Sequence, residues 1–151
     1  MKLVYFLLIF AFGILKSQSL EEFRGYLKTG ESSAEVSKTF LEKSKSAFET
    51  TKKPIYEAFY AVSNFFMAKH SVNPINKLSY FNKGKKLLDD AVKSEPNNLE
   101  IRLMRLISQE KTPKILGYKS SIASDKDFIL KNYKNSPDKD LINFIKKYLK
   151  I

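Results

Sequence analysis

Apolar residues return at every third or fourth position along most of this chain, the spacing of helices that each bury one face. The clearest stretch covers residues 80–108, read as helix, tight turn, helix. Leu78, Phe81, Gly84, Leu88, Ala91 and Val92 make one stripe, Pro96 stops it, and residues 94–98 supply the turn. Asn97 or Asn98 stands where a side chain can accept the free amide hydrogens of a second helix over about residues 99–108. An amphipathic pair of this kind cannot bury its stripe alone, so the flanking chain must cover it.

The flanks carry the same signal. Residues 20–28 predict a short helix with Leu20, Phe23 and Leu27 on one side, ended by Gly30. Ser32 and Ser33 are candidate caps for a long helix bearing Val36, Phe40, Ser44, Ala47 and Phe48. After a break at 50–53, Pro54 suits the first turn of the next helix. Ile55, Ala58, Phe59, Val62, Phe65, Phe66 and Lys69 mark a wide stripe there, with Tyr56, Tyr60 and Met67 on its flanks. So apolar a helix must be covered on more than one side. Residues 71–74 turn the chain into the central pair.

Beyond Ser108 the period is lost through Pro113 and Gly117, in the one loop long enough to shape a surface. Ser121 or Ser124 can cap a helix through Phe128, Ile129 and Tyr133, and Leu141, Phe144, Ile145, Tyr148 and Leu149 make a final amphipathic helix. The expected fold is all-α, with about seven helices stacked as antiparallel hairpins in one domain over residues 20–151.

Residues 1–19 read differently. Lys2 precedes an unbroken apolar run of 13 residues, 3–15, and Ser17 and Ser19 sit at the minus-three and minus-one positions of a cut before Leu20. That is the pattern of a secretory signal and is short for a membrane span. The expectation is an exported protein, periplasmic or secreted, soluble after cleavage and without an integral span in the mature chain. Losing Lys2 and Lys16 lowers the net charge from +11 to +9.

Charge changes the picture little. Lys and Arg number 27 against 16 acids, but arginine occurs only at 24, 102 and 105, and lysine is spread over every helix. Dedicated nucleic-acid binders cluster charge on one face and lean on arginine, so no nucleic-acid partner is expected. The chain has no cysteine, hence no disulfide, thiol nucleophile or thiolate metal site. His70 is the single histidine, which leaves no multi-histidine site and no spare base for a serine triad. Asp89 and Asp90 point about a third of a turn apart on a helix, Asp125 and Asp127 lack the rest of a calcium loop, and Ser120 and Ser121 have no neighbouring base. No enzyme, cofactor or metal is expected.

One constellation stands out. Arg102 and Arg105 share a helix face in a chain that otherwise uses lysine, with Glu100, Gln109 and the Leu-Gly-Tyr of 116–118 nearby. Two guanidinium groups so placed offer planar, bidentate bonding. They either pair with internal carboxylates such as Asp125, Asp127 or Asp89 and lock the irregular loop to the core, or receive an acidic peptide terminus or another anion. In the second reading Arg102, Arg105, Gln109 and Tyr118 are the binding residues, with Tyr118 lining either version.

Gly84, Leu88, Ala91 and Pro96 carry the spacing of the second-helix half of a tetratricopeptide repeat, where small residues let helices approach closely and proline ends the unit. The chain resembles that family over about one half-repeat; the first-helix signature and a recurring 34-residue period are absent. Residues 68–88, 97–109 and 115–129 also resemble an uncharacterised family of small exported proteins of Bacteroidota-type bacteria. These resemblances imply export and a short tetratricopeptide-like helical bundle. The function expected is a noncatalytic interaction module that holds a protein or peptide in the cell envelope, the alternative being a basic surface that associates with polyanions or a membrane surface.

Overall fold

A computed structural model describes residues 19–151, all of them helix, turn or connection. Apart from Ser19, the expected signal segment lies outside the described residues. Seven α-helices follow in order: α1 (Leu20–Thr29), α2 (Ala34–Thr51), α3 (Pro54–His70), α4 (Pro74–Ser94), α5 (Leu99–Lys111), α6 (Ile122–Asn132) and α7 (Lys139–Leu149). Short 3-10 turns lie at Gly30–Ser32, Lys114–Leu116 and Tyr133–Asn135.

Most helices start where the chain supplies a group for their free amides. The side chains of Ser33, Asn73, Asn98 and Asp138 accept from the first turns of α2, α4, α5 and α7, and Pro54 and Pro74 open α3 and α4. Lys52 ends α2 in the left-handed conformation, φ 55°. Ser19 caps α1 by accepting from the amide of Glu22.

The third helix is the hub. It packs along α2 and α4 and also meets α5, and its Tyr56, Ala58, Phe59, Tyr60, Ala61, Val62, Ser63, Asn64 and Ala68 are buried. Tyr56 and Tyr60 thus belong to the core rather than to its flanks, because neighbours cover this helix on three sides. Phe23 stacks on Phe59 at 5.2 Å between ring centres and reaches Tyr56 at 5.3 Å, which binds α1 to the hub. Ser44 and Ser63 meet at 3.1 Å across the α2–α3 interface, and each hydroxyl also lies within hydrogen-bond distance of a carbonyl of its own helix. Small, satisfied polar groups let the two backbones approach closely.

Gly84 serves the same purpose between α3 and α4, since a Cβ there would lie 2.9 Å from both the Ala61 carbonyl oxygen and the Phe65 ring. Gly30 ends α1 as its C-cap and opens a 3-10 turn, and a Cβ there would meet the Phe66 ring at 2.8 Å. A second core joins α5, α6 and α7 through Leu103, Leu106, Ile129, Tyr133, Leu141 and Ile145.

Two further expectations need correction. Leu78 is exposed instead of lying on the buried stripe, because no neighbouring element covers the connection and first turns of α4 and residues 72–79 all stay open to solvent. Helix α5 continues to Lys111, beyond Ser108, because Lys119 donates to the carbonyls of Gln109 (2.6 Å) and Glu110 (3.1 Å) and satisfies the end of the longer helix.

Candidate functional site

All three arginines hold carboxylates, and all three do so at α5. Arg24 of α1 donates from Nε and Nη2 to the two oxygens of Glu100, each at 2.7 Å, and Nη2 also reaches Asp138 Oδ2 at 2.7 Å. Asp138 at the same time caps α7 by accepting from the Leu141 amide, so a single fork ties α1, α5 and α7 together. That cap and the guanidinium, in this order, hold Asp138 below the ordinary aspartate range. The hydrogen bond to Glu100 raises Arg24 further still against the opposing effect of burial.

Arg102 and Arg105 converge on Asp125 of α6, which is fully buried. Asp125 Oδ1 accepts from Arg102 Nη1 (2.7 Å) and Arg105 Nη2 (2.8 Å), and Oδ2 accepts from Arg105 Nε (2.7 Å). Arg102 also donates from Nε to the Pro96 carbonyl at 2.8 Å and lies over the Phe128 ring at 4.7 Å. Arg105 Nη1 approaches Asp89 of α4 at 3.6 Å, and the same carboxylate accepts from the Tyr118 hydroxyl at 2.9 Å. Burial, then the charge of Asp89, pushes the Tyr118 hydroxyl well above the usual tyrosine range. Gln109 is buried beside this network, and its Oε1 accepts from the Ser121 amide at 3.0 Å.

The four residues singled out in the sequence are therefore brought together around the loop after α5. Arg102 and Arg105 meet the internal carboxylate that was one of the two readings, Tyr118 anchors the loop to α4, and Gln109 holds the start of α6. Asp127 takes no part and pairs with Lys131 at 2.8 Å. Asp89 and Asp90 diverge, the latter pairing with Lys86 at 2.5 Å. His70 lies with Nε2 3.3 Å from the Gly30 carbonyl. Among the described residues no three histidine or carboxylate side chains are grouped to hold a metal ion.

Two clefts flank the C-terminal half of α5 and share Val62, Ser108 and Lys111 on their walls. One, of about 360 Å³, is a groove between α1, α5 and α7 with Leu27, Leu103, Met104, Ile107, Leu141 and Phe144 along it. Phe144 stacks on Tyr148 at 6.3 Å and stays 44% exposed. The other, of about 510 Å³, has Phe65, Phe66 and Phe81 on its floor and Lys69, Lys77 and Lys111 at its edge. Glu31 bridges two of these, accepting from Lys111 at 2.5 Å and Lys69 at 3.3 Å, and the Lys111 bond holds it below the ordinary glutamate range.

Sequence reasoning passed over Arg24, Asp138, Glu31 and both clefts. The available signal was the scarcity of arginine, which applied to Arg24 as much as to the other two. No protein family, curated protein or solved structure matches this chain significantly.

Proposed function

We propose that this protein is an exported, noncatalytic interaction module whose groove between α1, α5 and α7 receives the apolar face of a peptide helix. The observation that carries the reading is the groove itself. It is walled by helices on each side, its volume lies within the range of ligand sites, and an aromatic ring, Phe144, stands half-exposed along it. Arg24, Lys28 and Asp140 supply a polar edge to an apolar floor, the layout that helix-in-groove recognition uses. In this reading the Arg102, Arg105, Gln109 and Tyr118 network is the frame that keeps α5 and its loop in place. Export rests on the pattern of residues 1–19, and the tetratricopeptide-like reading on close helix packing at Gly84.

The test is affinity capture from envelope extract with residues 20–151 at low and high salt, beside Phe144→Asp and a circular-dichroism check of folding. Any captured protein is then purified and titrated. A partner held at high salt and lost in the folded variant supports the groove; retention by Phe144→Asp, or loss of everything at high salt, overturns it. N-terminal sequencing of the fractionated protein tests export separately.

A further inference from the structure

The larger cleft belongs to an end of the molecule whose own rims carry no acids. Between Glu57 and Asp89 the chain has five lysines and no Asp or Glu, and between Glu110 and Asp125 it has three lysines and no Asp or Glu. Both segments line the cleft: Lys69, Lys77 and Phe81 come from the first, and Lys111, Pro113 and Leu116 from the second. The carboxylate that does reach this place, Glu31, is neutralised by two of those lysines.

The same two segments hold the most exposed large aliphatic side chains of the described residues. Val72, on the connection into α4, is 96% exposed; Ile75, in the first turn of α4, is 78% exposed; and Ile115, on the turn Lys114–Leu116, is 93% exposed. Val72, Ile75 and Leu78 recur at every third residue through the connection and the exposed first turns of α4. Aliphatic tips set among lysines are the opposite of what a solvated surface favours.

We infer that this end docks on an anionic lipid bilayer, with Val72, Ile75 and Ile115 entering the headgroup boundary and Lys77 and Lys114 meeting the lipid charges. The inference goes beyond the groove and is independent of it. Lysine alone would suit any polyanion, but a nucleic acid or polysaccharide gains nothing from three protruding aliphatic tips. A bilayer rewards both features at once. The centre of a protein interface is built on packed aromatic and other large side chains, which these three aliphatic tips do not supply.

Sedimentation of the 20–151 chain with phosphatidylglycerol and with phosphatidylcholine vesicles tests this. Binding is expected to the anionic vesicles only. Ile75→Asn/Ile115→Asn, which leaves every charge in place, should weaken it at least tenfold, and Lys77→Gln/Lys114→Gln by roughly thirtyfold. Lys146→Gln/Lys147→Gln, the same charge loss on α7, should leave it unchanged. All six positions are exposed, so folding is not at stake. Equal binding to both lipids, an unaffected isoleucine variant, an equal loss in the α7 variant, or tighter binding to heparin than to the anionic vesicles would each overturn the inference.

Discussion

Arg105 grips Asp125 with two parallel hydrogen bonds, Nε to Oδ2 at 2.7 Å and Nη2 to Oδ1 at 2.8 Å, at a carboxylate that has no contact with solvent. The hydrogen bond to Asp125 is the main reason the guanidinium is held above its ordinary value, against the effect of burial. A buried anion with that many donors is tolerated only while they remain, and the donors depend on it equally.

Asp125→Ala should therefore cost about 3 kcal/mol or more, since it strands two largely buried guanidinium groups. Replacing all three residues, as Arg102→Met/Arg105→Met/Asp125→Leu, should recover most of that loss. Urea unfolding of the two variants beside the parent measures both; a single variant no worse than the triple one would refute the mutual dependence.

Two glycines should respond to alanine with opposite signs. Gly25 lies in α1 with nothing within 4 Å of the place a Cβ would occupy, so Gly25→Ala should stabilise by about 0.5–1 kcal/mol. Gly84→Ala gains the same propensity but drives a methyl against the Ala61 carbonyl and the Phe65 ring at 2.9 Å, and should lose about 1–3 kcal/mol net. Thermal melting of the pair is decisive because the chemical change is identical.

Acid should weaken the fold through Asp138 and Glu31. Both carboxyls are held below their ordinary values, so the stability they contribute is present above about pH 4, the usual carboxylate range, and is lost as pH falls through their folded values. Asp138→Asn keeps a good helix cap yet removes the ion pair with Arg24. Its melting temperature should fall less between pH 6 and pH 3 than that of the parent. Glu57 has the reverse sign: burial, then the charge of Asp90, raises it, so Glu57→Gln should stabilise at pH 7 and make little difference at pH 3.

Tyr118 and Tyr148 should ionise late. Burial raises both hydroxyls, with Asp89 and Glu110 respectively adding to the effect. An alkaline titration followed at 295 nm should show tyrosines that stay protonated past the usual midpoint near 10, until the protein unfolds. Tyr118→Phe and Tyr148→Phe should each remove one of them; a titration unchanged by either substitution would contradict the geometry.

The helices were legible because most repeated a local pattern of a stripe bounded by a capping side chain, a proline or a glycine; α6 keeps its stripe, but neither Ser121 nor Ser124 caps it with a side chain. Pro54 could be placed from its neighbours alone, and the caps of α2 and α5 could be narrowed to Ser32 or Ser33 and Asn97 or Asn98, of which the structure uses Ser33 and Asn98. The limits of that reasoning show at Leu78, which has the right spacing for burial but no cover, since cover comes from neighbouring elements that a local pattern does not report. Arg102 and Arg105 could be paired with candidate carboxylates because one loop joins their helix to α6. Arg24 could not, since its partners lie 76 and 114 residues away and no periodicity reports a contact of that separation. The clefts escaped for a related reason, being spaces between elements and not properties of any one segment.

The bridge from Arg24 to Asp138 also sets an order of assembly. Its two ends lie close to the first and last helices of residues 20–151, so it can close only after nearly the whole chain is present. Until α7 arrives, Arg24 has Glu100 as its one carboxylate, and the groove lacks its third wall. A polypeptide emerging from its N-terminus would thus acquire the hub early and close the groove between α1, α5 and α7 last.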